Sequence, residues 1–302
     1  DGFTVSGGYT SSNGGGMYNE YASPLLRHVV FQSNATGAIR YGGGMYNSNS
    51  SPVLRQCSFL SNSAGYGGGV YNTTSAPTFE NCLFKNNNSN IAAGDLYNTG
   101  STTIITNTRF ISNTSSTYTA AIHAASGDLT MINCLFSGNQ APLNSTGAIH
   151  LPGGTNTFIN VTMADNGDYG ISGTALYSLK NSIIWDDIQG NYDADHCMIK
   201  NKSDETNGNL DATAYTAADI FMDPTTGNYA LKSTSPVIDQ GDNSLFPGLN
   251  GSTKDLAGNL RLLGTKIDMG AFEFGTPLPV KLLSFTVQKQ GEKAVLIWRT
   301  AT

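Results

Sequence analysis

The stretch whose reading decides the fold is Gly14-Gly15-Gly16-Met17-Tyr18-Asn19. It returns as GGGMYN at 42–47 and as GGGVYN at 67–72, three copies of a hexapeptide with no readily ionised side chain. Aligned on the Tyr-Asn pair, Asn19, Asn47, Asn72 and Asn98 stand 28, 25 and 26 residues apart, the fourth copy having weakened to AAGDLYN. A second marker, F-x-x-N, runs further. Its asparagines fall at 34, 62, 87, 113, 139 and 166, in steps of 28, 25, 26, 26 and 27, each behind Phe31, Phe59, Phe84, Phe110, Phe136 or, last, Met163.

A period in the twenties, with short β-type segments, many turn residues and no helical periodicity, predicts a solenoid with one coil per repeat. Leucine-rich repeats share the period but need a leucine scaffold that is absent. Within one coil, Gly-Met-Tyr-Asn reads as a strand, Ser-Pro as a corner, Val-Leu-Arg as a second strand and Cys-Ser-Phe as a third. The expected class is therefore all-β, a parallel β-helix with three strands per coil. Coils about 4.8 Å apart turn each repeat position into a column of like side chains.

Alternation sends Met17, Met45, Val70, Leu96, Ile122 and Ile149 inward, and Tyr18, Tyr46, Tyr71, Tyr97, His123 and His150 outward. Asn19, Asn47, Asn72 and Asn98 are expected to bond one another in a ladder at the corner. Parity breaks between Leu54 and Cys57, both apolar-facing although three residues apart. A left-handed residue reconciles them, and the column Gln56, Asn81, Asn107, Asn133, Asn160, Asn181 is rich in asparagine, which tolerates that conformation. Cys57, Cys82 and Cys134 share one inward column with Val29, Thr108 and Val161. With Cys197 they fit neither a CxxC metal site nor a disulfide framework, and parallel in-register side chains suit a disulfide dihedral poorly, so packed thiols are expected.

Composition limits the functions. Only 13% of the 302 residues are charged, the net charge is -6, and the 16 Lys plus Arg form no cluster, which argues against a phosphate-backbone footprint and hence against nucleic acid. No apolar run reaches the roughly 18 residues that span a bilayer. The chain opens on Asp1 rather than on methionine or an export signal, and reads as an internal piece of a longer precursor.

The run from Gly42 to Ala64, GGGMYNSNSSPVLRQCSFLSNSA, resembles the repeat of pectin-lyase-like and polymorphic outer-membrane proteins. The resemblance covers about residues 1–200 and implies a right-handed parallel β-helix over 1–204. That scaffold hosts lyases, hydrolases, adhesins and inert stalks alike, so it implies no activity. Further on, Asp255, Gly258, Arg261, Asp268, Gly270, Ala271 and Glu273 match the D-x-x-G-x-x-R and D-x-G-A-x-E signature of the choice-of-anchor Q domain. Residues 205–275 are accordingly expected to cap the last coil, whose open strand edges need cover. A short stiff linker, 276–279, would lead to 280–302, where two alternating apolar segments around Gln290-Gly291 read as a hairpin. That piece resembles the opening of the immunoglobulin-like module that precedes type IX sorting signals in the Bacteroidota. The resemblance implies a protein exported across the outer membrane, to the cell surface or beyond.

Three groups carry candidate chemistry. Keeping Asn160 and Asn181 in register puts Asp165 over Asp186, with Asp187 and Asp168 beside them, a spacing that carboxylate pairs of glycosidases use; turn aspartates bonded to nearby amides are the plainer reading. No Arg-x-Lys element of the polygalacturonase kind accompanies them, and a lyase would need a base and a cation-binding carboxylate cluster that the coils lack. The Tyr18, Tyr46, Tyr71, Tyr97, His123, His150 column offers rings on which a polysaccharide or a neighbouring surface protein would stack. Simple stacking that stabilises the sheet explains the same column. Asp239, Asp242, Asp255, Asp268 and Glu273 supply oxygen ligands of the type calcium prefers, with Arg261 at hand for a structural ion pair instead. No cofactor is required; the acids admit a structural calcium, while His123 and His150, neighbours in their column, lack a third ligand for a shared metal. The expected function is that of a non-catalytic extracellular stalk, adhesin or self-assembling subunit, and the alternative is a polysaccharide hydrolase or lyase working through Asp165, Asp186 and Asp187.

Overall fold

The computed structural model describes residues 1–142, 144–275, 281–290 and 293–301. The chain winds into a parallel β-solenoid. Nine short strands from Thr4–Ser6 to Met198–Ile199 stack as one sheet, eight from Leu25–Arg27 to Tyr192–Asp195 as a second, and seven from Met17–Glu20 to Tyr169–Gly173 as a third. Register follows the sequence period: Phe31 pairs with Phe59, Phe59 with Phe84, Phe84 with Phe110, and Phe110 with Phe136. Their rings stack 4.6–4.9 Å apart in the interior. Met45, Val70, Leu96, Ile122 and Ile149 are fully buried beside them.

The coil is not the three-stranded triangle expected. A fourth sheet of five strands, including Ser63–Tyr66 and Asn88–Ala92, runs between the F-x-x-N corner and the glycines. It explains the triple glycine. The first glycine of each copy is left-handed, with φ of 74°, 68° and 61° at Gly14, Gly42 and Gly67. At the second position a Cβ has no room: on Gly43 it would stand 2.4 Å from the Gly68 carbonyl oxygen, and on Gly68 2.5 Å from that of Gly94.

The corner before the phenylalanine strand is built as the parity break requires. His28, Gln56, Asn81, Asn107, Asn133, Asn160, Asn181 and His196 all have φ between 48° and 54°. The next residue then points inward. Cys57, Cys82, Cys134 and Cys197 are free and buried there, each thiol donating to the carbonyl two residues back. Burial pushes Cys82, Cys134 and Cys197 up to about 12.

Two ladders of asparagine run up the stack. In the Tyr-Asn column, Asn19 donates to Asn47, Asn47 to Asn72 and Asn72 to Asn98, at 2.7–2.8 Å. The F-x-x-N column forms the tighter one. From Asn34 to Asn139 the main-chain N–H of each asparagine donates to the side-chain oxygen of the next, at 2.9–3.2 Å. From Asn62 to Asn166 the side-chain amide also donates to the carbonyl of the phenylalanine one coil back. All six are essentially solvent-free, so the ladder satisfies corner groups that water cannot reach.

Beyond Ile199 the repeat ends. Leu210 bridges Met198, and the Asn209 side chain accepts from the Cys197 N–H, prolonging the stack by part of a coil. The rest of 212–272 turns back and lies along the outer face of the nine-stranded sheet, where Phe221, Tyr229, Leu231, Val237, Leu256 and Met269 cover Leu135, Ala164, Ile183 and Met198. Phe246 and Ile267 likewise cover Ile159 on the adjoining sheet. Lys281–Gln290 pairs antiparallel with Lys293–Ala301. The expected linker at 276–279 and Gly291 of the expected turn lie outside the described residues. No helix among the described residues is long and apolar enough to cross a membrane.

Candidate functional site

Parallel in-register strands bring the Tyr-His column together as one continuous stack. Ring centroids are 5.1 Å apart for Tyr18–Tyr46, 5.6 Å for Tyr46–Tyr71, 5.2 Å for Tyr71–Tyr97, 4.7 Å for Tyr97–His123 and 5.0 Å for His123–His150. The column is not a uniformly open face. Tyr41 lies 4.5 Å from Tyr71, and Tyr66 meets Tyr97 edge-on at 5.4 Å, so Tyr71 is buried while Tyr18, at the end of the stack, is 49% exposed. Tyr41 and Tyr66 come from the fourth sheet and the bridge beside it, and sequence reading missed both because that sheet was not foreseen.

At the other end of the column burial favours the neutral form of both imidazoles. Burial, and then the neighbouring His150, push His123 down to about 4; burial lowers His150 as well. His150 Nδ1 lies 2.8 Å from the Ser172 hydroxyl, which also bonds Thr146. The buried Nδ1 of His123 has no partner.

The aspartates sort differently from the register count. The corner after Ile184 lacks the left-handed residue that Asp165 supplies one coil earlier, with φ of 62°. Asp186 therefore falls under Asn166, not under Asp165. Its two oxygens accept the main-chain N–H and the side-chain amide of Asn166, at 3.1 and 2.7 Å, ending the F-x-x-N ladder. Burial outweighs these donors and pushes Asp186 up to about 6. Asp165 is exposed but engaged by the Tyr229 hydroxyl. Asp187 stands on the surface 3.9 Å from Lys200 Nζ, and Asp168 accepts the Asn144 N–H. Asp168, Asp186, Asp187 and Lys200 line a hollow of about 340 Å³, which is at the small end for a ligand site.

The carboxyl-terminal carboxylates are turned onto their own main chain. Asp255 accepts from Ala257 and Asn259 through one oxygen and from Glu273 through the other. Asp268 accepts from Asp239 and Phe274, and Asp242 from Ser244. Arg261, fully buried, donates to the carbonyls of Asp268 and Gly270 at 2.7 and 2.6 Å, and its Nε stands 3.8 Å from Glu273. Burial pushes Glu273 up to about 8 against the pull of Arg261. Asn160 donates to the same two carbonyls, which fixes the signature residues against the coils. Among the described residues no group of three or more His, Cys, Asp or Glu could hold a metal ion.

One acid escaped notice in the sequence. Asp95 stands where earlier copies have their third glycine, fully buried, with one oxygen accepting from Asn87 at 2.9 Å and the other without a partner. Desolvation raises it well above the usual carboxylate range. In comparisons with known proteins, no family model matches the chain and no curated protein is significantly similar to it.

Proposed function

We propose that the protein is a non-catalytic extracellular scaffold, a surface stalk, adhesin or assembly subunit whose coils present side-chain columns to a polysaccharide or a neighbouring protein. The observation that carries this reading is the employment of the carboxylates. Asp186 terminates a ladder and Asp165 is held by Tyr229, which leaves Asp168 and Asp187 in a hollow too small to seat several sugars. Glycan contact falls to the open end of the aromatic column, at Tyr18 and the half-buried Tyr46. Export to the cell surface, by the route that the carboxyl-terminal resemblances imply, belongs to the same proposal.

A polysaccharide-active enzyme is the second reading. What favours it is Asp186 at about 6, a value suited to a general acid near neutral pH. One assay separates the two: reducing-sugar release and unsaturated-uronate absorbance over a panel of plant and algal polysaccharides. No turnover is expected. Turnover abolished by Asp187→Asn would replace the scaffold with the enzyme.

A further inference from the structure

The outer face of the nine-stranded sheet has two halves. From Leu135 onward its outward residues are buried beneath the chain's own 212–272 stretch. In the coils before it, Val30, Leu60, Leu83 and Ile111 hold equivalent outward positions and remain half-exposed. The seam is Arg109, whose guanidinium donates to the Leu256 carbonyl at 2.7 Å and feels the charge of Asp255.

How the covered half holds its segment is explicit. The left-handed corner asparagines grip main chain: Asn133 donates to the Lys254 carbonyl at 2.9 Å, Asn160 to Asp268 and Gly270, and Asn181 both donates to the Asp242 carbonyl and accepts its N–H. The same corner continues past the seam. Gln56 and Asn81 have the same φ, 53° and 54°, and their side chains are exposed. Lys85 stands exposed on that half, and Arg27 stands exposed on the adjoining eight-stranded sheet, just before the same corner.

We propose that this upstream half is a docking surface for an acidic polypeptide segment of another protein, gripped through its main-chain carbonyls as the coils grip the turns of the chain's own 242–270 stretch. Continuity with the internal interface identifies the occupant's chemistry. Corner amides one coil apart take main-chain carbonyls, the half-exposed aliphatic stripe takes apolar side chains, and Lys85 and Arg27 take carboxylates as Arg109 faces Asp255. The surface is independent of whether the coils act on glycan.

The test uses the full chain and a fluorescein-labelled peptide of residues 236–256, which carries three aspartates and one lysine and contains two carbonyls gripped by the corner asparagines, those of Asp242 and Lys254, with the Leu256 carbonyl held at the seam. Fluorescence anisotropy is expected to show saturable binding, weakened at least tenfold by Asn81→Ala with Leu83→Lys. Lys85→Glu, an exposed charge reversal that leaves packing alone, is expected to weaken it about fivefold. Absent binding, or binding indifferent to both variants, overturns the proposal. Sedimentation showing that the chain pairs with itself through these residues also overturns it, by giving the surface to a second copy.

Discussion

Asp186 receives two hydrogen bonds from Asn166, so a carboxylate closes a ladder whose every earlier rung is an amide. Its value near 6 lies above the 3.8 of a free aspartate. The stability it contributes is complete below about 3.8 and is lost as pH rises through about 6. Asp186→Asn restores an amide rung. It should raise stability by about 2 kcal/mol above pH 7 and change it little at pH 4. Thermal melts of both proteins at the two pH values check this; an equal gain at both would show that burial of charge is not the cause.

The two ladders differ in what depends on them. Asn113→Ala would leave the buried Asn87 N–H without its partner and strip the Phe84 carbonyl of its side-chain donor, at a cost of roughly 2–3 kcal/mol. Asn72→Ala breaks only side-chain bonds to Asn47 and Asn98 and should cost about half as much. Urea unfolding ranks the pair.

Gly68→Ala should be among the most damaging single-methyl additions in the chain. Its Cβ would stand 2.2 Å from the Asn88 carbonyl oxygen and 2.5 Å from that of Gly94, both main chain. The coils must part to admit it, at about 3 kcal/mol or more. Gly251, where a Cβ meets nothing within 4 Å, is the matched control and should stay within about 0.5 kcal/mol. Differential scanning calorimetry of both reads the contrast.

Arg261→Met removes the buried cation that faces Glu273 and holds the carbonyls of Asp268 and Gly270. Breaking one side of such a pair costs about 3–5 kcal/mol, and here the loss falls on the carboxyl-terminal segment. Limited proteolysis should cut the variant within 212–272 while 1–199 stays intact. Cleavage spread evenly along the chain would show that the segment and the coils unfold as one.

Fold and register were legible because a solenoid converts repetition into columns, so one parity break between Leu54 and Cys57 was enough to assign a left-handed corner across the stack. The fourth sheet was not legible. Its strands, SAGY and NSNIA among them, show no apolar alternation because their groups serve the corner and the glycines. The count that set Asp165 over Asp186 failed by one residue because a corner shortened there without disturbing the flanking strands. Lateral placement of the carboxyl-terminal segment left a fainter trace. On the adjoining sheet the outward column Arg27, Arg55, Glu80, Thr106 turns apolar at Ile132 and Ile159, a change that fits the burial of Ile159 beneath Phe246 and Ile267.

The segment also alters how the molecule would yield to force. A plain stack is held coil to coil, so tension at one end peels it in small, similar steps. Here Arg109, Asn133, Asn160 and Asn181 tie four successive windings to one crossing strap. Pulled from its amino terminus, the rod should fray gradually as far as Arg109 and then resist; pulled from the far end, it must shed the strap before any winding opens.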